Sequence, residues 1–233
     1  GATVANLIAG DDISLRDTIS VDLLSVTAGD SISVYGTVNV NSANYTASLG
    51  DVRLDGYQTY GTLNATAEDD IYIGWELNAT TATLNAEDDI SIRGTTRFGD
   101  LTVNAGDDIS IRGDHATTGT ANLTAVDYVS LRDILNFGNL NVTAGNSISA
   151  YGTLNATNAN YTATAGDVRL DGYQTYGILN ATAGDDISIG WELNATTATL
   201  TAGDDVSIRG TTRFGDLTVN ATDDISIRGD QQT

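Results

Sequence analysis

The chain has no cysteine, proline, methionine or lysine, and one histidine. Without cysteine there is neither a disulfide framework nor thiol chemistry. A single histidine cannot supply a His-based triad or a multi-histidine zinc site. That residue, His115, lies in Asp114-His115-Ala116 and reads as a solvated loop residue. All ten basic residues are arginine, against 31 acidic ones, giving a net charge of -21. Such a balance argues against nucleic acid, whose phosphates need clustered positive charge, and against anionic membranes. No apolar run approaches the ~20 residues that cross a bilayer, so no membrane insertion is expected. No charged, hydrophobic and small-residue leader opens the chain, which reads as a mature fragment.

What is present is repetition. Hydrophobic residues make up 40% of the chain, and Gly, Thr, Asn, Ala and Asp abound, a soluble and β-rich profile. The aliphatic residue of an A-x-D-D-I-S-I-like phrase recurs every 19 or 20 residues, at Ile13, Ile32, Val52, Ile71, Ile90, Ile109, Val129, Ile148, Val168, Ile187, Val206 and Ile225. These twelve turns fill residues 1–233 as a single array and leave no room for a separate catalytic domain. A second repeat is written over the first. Residues 44–114 recur at 160–230, shifted by 116, with 62 of 71 positions identical. The array is therefore an internal duplication, 1–116 and 117–233, of six coils each.

Within a repeat, apolar and polar residues alternate on both sides of a Gly-Asp turn, as in Leu101-Thr102-Val103-Asn104-Ala105 and Ile109-Ser110-Ile111. Period two marks half-buried strands, and helical spacing is nowhere sustained. The alternation predicts inward columns at the positions of Leu101, Val103, Ala105, Ile109 and Ile111. The nearly invariant Ala of the third column predicts a cramped interior corner. Strands a fixed 19 residues apart can pair only with their counterparts above and below, so the fold class is all-β, a parallel β-helix (β-solenoid). At ~4.8 Å per coil, twelve coils make a rod about 58 Å long. Its partners would include a continuation of the solenoid or a second copy joined end to end, because open strand edges invite pairing.

Phrases such as L-N-V-T-A-G-N-S-I-S at 140–149 and L-T-V-N-A-G-D-D-I-S-I at 101–111 resemble the 19-residue repeats of filamentous haemagglutinin-type exoproteins. These are secreted adhesins of two-partner secretion systems, and the likeness covers essentially the whole chain. It implies a right-handed parallel β-helix acting as a stalk, a secreted or cell-surface location, and, by analogy with biofilm-matrix members, contact with exopolysaccharide.

Four local features could carry chemistry. The first is the acidic turn, at Asp69-Asp70, Asp88-Asp89 and Asp107-Asp108, then Asp185-Asp186, Asp204-Asp205 and Asp223-Asp224. Stacking brings successive carboxylates about 4.8 Å apart, where they repel. Calcium, an oxygen-seeking cation, is the candidate ion between them. Solvent and the arginine column Arg93, Arg112, Arg132, Arg209 and Arg228 are the simpler relief, so no cofactor is required. The second is an aromatic patch, Tyr57, Tyr60 and Trp75 with Tyr35 one coil earlier, repeated as Tyr173, Tyr176 and Trp191 with Tyr151. Gly56 and Gly94 flank Trp75 in its column, leaving room for an indole that could stack on sugar rings beside Asp55 and Arg93; a lid over the solenoid corner is the structural alternative. The third is the tripeptide R-G-D, at Arg112-Gly113-Asp114 and Arg228-Gly229-Asp230, which integrins read. The same column reads I-R-G-T at 92–95 and 208–211, so one substitution in the repeat creates it. The fourth is a set of Asn-x-Thr sequons at Asn44, Asn64, Asn78, Asn122, Asn141, Asn155, Asn160, Asn180, Asn194 and Asn220, as the composition alone would produce.

No enzyme is expected. Polysaccharide lyases use β-helices with carboxylates, calcium and an arginine base, and they are the enzymatic alternative, but they break their regularity to build a cleft. An ice-binding solenoid is the other alternative, since threonine columns appear at Thr83 and Thr102, although Asn, Ser and Tyr interrupt them. The expected function is a non-enzymatic stalk segment of a bacterial adhesin, with polysaccharide or a cell-surface receptor as partner.

Overall fold

A computed structural model describes residues 3–232. Among them there is no helix. The 23 strands pair in parallel, those between the first and last coils with counterparts both below and above, to form a β-solenoid of about twelve turns. The coil around residue 100 shows why. Its long strand Thr95–Ala105 pairs with Glu76–Ala86 below and Asp114–Ala125 above, and its short strand Ile109–Ile111 pairs with Ile90–Ile92 and Val129–Leu131. Between the two strands the Gly106-Asp107-Asp108 turn reverses the chain, and Arg112-Gly113 closes the coil.

The long strand does not alternate throughout. Phe98 and Leu101, three residues apart, both face inward, so the strand turns a corner at Gly99-Asp100. Here the coil above carries its extra residue: Gly99-Asp100 lies opposite Thr118-Gly119-Thr120 and the register slips by one. The sheet absorbs a 20-residue coil at a corner, where the ladder is already broken, and alternation survives on the flat faces.

Each coil sends seven side chains into the core: in this one Thr96, Phe98, Leu101, Val103, Ala105, Ile109 and Ile111 are all buried. Five of these columns follow from the alternation. The two formed at Thr96 and Phe98 do not, because they mix aliphatic with polar and aromatic residues: Gln58, Leu77, Thr96, His115 and Leu135 in one, Tyr60, Ala79, Phe98, Thr117 and Phe137 in the other.

Three expectations are corrected by these columns. His115 is not a solvated loop residue; it lies in the strand Asp114–Ala125 and is 0% exposed. Its ring is held between Phe98 and Phe137, with centroids 5.4 and 5.3 Å away. Nδ1 meets the Thr96 hydroxyl and Nε2 the Thr117 hydroxyl at 3.1 Å. Burial, then the nearby Arg97 charge, holds its pKa down at about 3. Tyr60 and Tyr176 are likewise interior residues, each 3% exposed, and they line shallow depressions of the surface rather than projecting from it. Tyr60 meets the Tyr45 hydroxyl at 3.0 Å and donates to Gln58 Oε1 at 2.6 Å, while Gln58 Nε2 donates to the Val34 carbonyl at 3.4 Å. Six coils on, Tyr161, Tyr176, Gln174 and the Ala150 carbonyl repeat the chain at 3.0, 2.7 and 2.9 Å. These polar groups tolerate the core because each is bonded within it.

Each coil depends on its neighbours. Leu101 and Val103 are fully buried, whereas Leu217 and Val219, their copies 116 residues on, are only partly buried because no long strand covers them from above.

Candidate functional site

Four of the exposed aromatic residues form two matching ledges. Tyr57 opens the long strand Tyr57–Ala67, and Trp75 sits just before the next one, Glu76–Ala86. They lie on neighbouring coils, since Tyr57 pairs with Glu76. Both are 56% exposed, and their rings meet edge to face at 6.4 Å and 76°. Tyr173 and Trp191 repeat this at 55% and 57% exposure, 6.3 Å and 73°. The backbone makes the room that the flanking glycines suggested: Gly94 follows Trp75 in its column, with φ +90°, and a Cβ there would press into the Trp75 carbonyl. Each ledge thus leaves two aromatic rings more than half exposed side by side.

Polar groups stand beside each ledge. Glu76 follows Trp75 directly and accepts a hydrogen bond from Asn78 Nδ2 at 3.4 Å; Glu192 and Asn194 do the same at 3.3 Å. Next to them is a shallow depression of about 350 Å³ lined by Thr59, Asn78, Thr80 and Arg97 among others, and its copy of about 380 Å³ is lined by Thr175, Asn194, Thr196 and Arg213. Carboxylate, amide and hydroxyl groups beside an aromatic face are the donors and acceptors that fix sugar hydroxyls. Tyr35, in the short-strand face, does not join the ledge; Arg16 and Arg53 lie 5.9 Å from its ring centre. Arg53 also lies over Tyr72, and Tyr151 is placed between Arg132 and Arg169 in the same way.

The acidic turns are built differently from a bare row of repelling charges. In the second Asp column each carboxylate is spent on the next coil: Asp70 N–H donates to Asp51 Oδ1 at 3.1 Å, Asp89 to Asp70 at 2.9 Å and Asp108 to Asp89 at 3.0 Å. Asp186, Asp205 and Asp224 donate in the same way to Asp167, Asp186 and Asp205. These are charge-assisted bonds to backbone amides that strands alone would leave unpaired at the turn. Loss of solvent, then the charges of Asp89, Asp51 and Asp88, raises the Asp70 pKa, while the Asp89 amide lowers it. Arg93 and Arg112 line one shallow depression together with Asp70, Asp89 and Asp108. Arg93, Arg132 and Arg209 place Nε on Ser91, Ser130 and Ser207 at 3.1–3.2 Å, and the ion pairs of Arg53, Arg97 and Arg169 go to Asp55, Asp114 and Asp171. Among the described residues, carboxylate oxygens converge within 4.8 Å in four groups: Asp11, Asp12 and Asp30; Asp107, Asp108 and Asp127; Asp185, Asp186 and Asp204; and Asp204, Asp205 and Asp223. Asp69 and Asp88 stand in the first Asp column, where their coils are joined by a bond from Asp88 N–H to the Asp69 carbonyl at 3.4 Å.

The tripeptide Arg112-Gly113-Asp114 is held in the coil rather than projected on a loop. Gly113 N–H donates to Asp133 Oδ2 at 3.0 Å, and the Asp114 carboxylate pairs with Arg97 at 2.7 Å. Its copy, Arg228-Gly229-Asp230, follows the strand Ile225–Arg228 in the last coil. All ten sequons lie in strands. Several of their side-chain nitrogens are already committed: Asn64 Nδ2 donates to Asn44, Asn141 to Asn122, Asn160 to Asn141 and Asn180 to Asn160 at 2.8–2.9 Å.

No protein-family model, curated protein or solved structure matches this chain.

Proposed function

We propose that the chain is a non-enzymatic stalk segment of a secreted or cell-surface bacterial adhesin of the filamentous haemagglutinin type, touching glycan through the ledges Tyr57/Trp75 and Tyr173/Trp191. The observation that supports it is the combination of a continuous buried core with two equivalent, solvent-exposed aromatic pairs. A long, stiff solenoid supplies reach, and the ledges supply contact without a cleft. Its other partners on this reading are adjoining solenoid coils or a second copy on the open edges. The test is a glycan array probed with the native chain and with the Trp75→Ala/Trp191→Ala variant. Binding by the native chain and its loss in the variant, with an unchanged melting curve, is the expected outcome; undiminished binding removes the glycan contact.

The acidic turns are read as a structural device, because the second Asp column is committed to backbone amides. Thermal unfolding in calcium and in chelator, at matched ionic strength, should then give the same midpoint. A midpoint that rises with calcium would assign the ion to the converging groups such as Asp107, Asp108 and Asp127.

One observation favours the ice-binding alternative. The outward columns through Thr102 and Asn104 contain no charged residue from Asn6 and Ile8 to Thr218 and Asn220, in a chain of net charge -21. The asparagines within them bond coil to coil, so they continue the lattice that they were expected to interrupt. The stalk reading takes these columns as internal braces and expects no thermal hysteresis from the chain at millimolar concentration. Hysteresis would move the function to this face.

A further inference from the structure

We infer that the two ledges act as a pair, so that the ligand is an uncharged polysaccharide long enough to touch both at once; this rests on the glycan reading above. The sheet itself sets the spacing. From Tyr57 the ladder runs through Glu76, Thr95, Asp114, Ile134 and Thr153 to Tyr173, six steps of unbroken parallel pairing. Six coils place the second ledge about 29 Å along the rod from the first.

The ledges are equivalent in detail. Tyr57, Trp75, Glu76 and Asn78 recur as Tyr173, Trp191, Glu192 and Asn194, and none of these positions is among the nine at which residues 44–114 and 160–230 differ. Ring separations agree to 0.1 Å, at 6.4 and 6.3 Å. Each ledge alone is shallow and open, with one aromatic pair and a few hydrogen-bonding groups, which is a weak site. A rigid rod that carries two such sites makes the second contact intramolecular, and its effective concentration is set by the fixed separation rather than by a floppy linker. Weak single contacts then add up to firm attachment only for a chain that reaches from one to the other.

The charge distribution selects the class of polymer. A net charge of -21 opposes approach of a polyanion. Arg97, which lines the depression beside the first ledge, is already engaged by Asp114 at 2.7 Å and by the carbonyls of Thr96 and Asp114 at 2.9 and 2.8 Å. What remains for the ligand is an aromatic face, a carboxylate and an amide, which suit sugar hydroxyls.

The test is a calorimetric titration of the full chain with a soluble glucan, mannan and galactan, each as polymer and as its trisaccharide, which is too short to bridge. The native chain should bind one polymer on the order of 100-fold more tightly than the matching trisaccharide. Trp75→Ala alone and Trp191→Ala alone should each bring the polymer down to the trisaccharide level, and the double variant should bind neither. Equal affinity for polymer and trisaccharide, with single variants that lose half the capacity and no affinity, would overturn the pairing and leave the glycan reading standing. Polymer binding that survives in the double variant, or no binding to any of the three polymers, removes the glycan reading and the pairing with it. Far-UV circular dichroism of each variant guards against misfolding, and both tryptophans are more than half exposed.

Discussion

Leu101→Asp is expected to disrupt the rod, and Leu217→Asp, the same change in the same local sequence 116 residues later, is expected to be mild. Both leucines sit in the phrase F-G-D-L-T-V-N-A and occupy the same inward column. Leu101 is packed between Ala82 and Ala121 of the adjoining coils and is 0% exposed, so the aspartate would be an unpaired buried charge in a broken core. The loss is about 5 kcal/mol or more, combining the deleted leucine packing with the carboxylate's desolvation. For a chain of this size that lowers the melting temperature by about 10–20 °C. In the 233-residue chain, no long strand among the described residues lies over Leu217, which is only partly buried. Its aspartate can reach water, and the cost should be about 1–2 kcal/mol. Thermal unfolding followed by circular dichroism reads both. Equal losses at the two sites would mean that stability is not passed from coil to coil.

The second large effect is acid sensitivity lodged in His115. Burial depresses its folded pKa to about 3 from an ordinary 6.5, so below pH 6.5 the unfolded chain takes up a proton that the folded chain refuses. Stability from this group is therefore complete above pH 6.5 and is lost progressively as the pH falls towards 3. Near 1.4 kcal/mol per unit of pH, the loss at pH 4 is about 3 kcal/mol. Asp70, with a raised pKa, works in the opposite sense, since its folded form gains protons as the pH falls. The His115→Gln variant separates the two contributions. Glutamine already fills this inward column at Gln58 and Gln174, where it bonds to tyrosine and to a backbone carbonyl. Urea unfolding at pH 7 and pH 4 should show the native chain losing about 3 kcal/mol more than the variant. An equal loss in both would mean that the histidine is protonated in the folded state.

Why some of this was legible in the sequence and some was not follows from what the residues must satisfy. Leu101, Val103, Ile109 and Ile111 announce themselves because strict alternation about an Asp-Asp turn allows only one buried face. Ala105 repeats as alanine because the interior is narrow where the chain leaves the long strand for the turn. The two remaining inward columns were hidden because burial there does not select for hydrophobicity. Gln58, Thr96, His115 and Thr117 are buried by virtue of partners on other coils, and nothing in a local window reveals a hydroxyl 19 residues away. The same cause misplaced Tyr60. Beside Tyr57 and Trp75 it reads as one more exposed ring, but the strand's alternation points Tyr57 outward and Tyr60, three residues on, into the core because Gln58 and Tyr60 share the inward parity. Attention to parity would have separated the ledge from the core. The Asp column was visible as composition and turn chemistry, whereas its bond to the next coil's amide is a property of stacking alone.

Successive coils lie directly over one another in parallel register, so that residues 19 or 20 apart in the chain are nearest neighbours in space. The absence of native cysteine makes a direct test clean. With nitroxide labels placed on Thr83→Cys/Thr102→Cys, an outward register pair, the spins should couple strongly at a separation near that of adjacent strands, about 5 Å at the backbone. Labels at Thr83→Cys/Asn122→Cys, two coils apart, should couple more weakly, at about twice that backbone spacing. Labels on Thr83 and Thr102 that lie more than ~20 Å apart, or that couple no more strongly than the two-coil pair, would contradict the stacked solenoid.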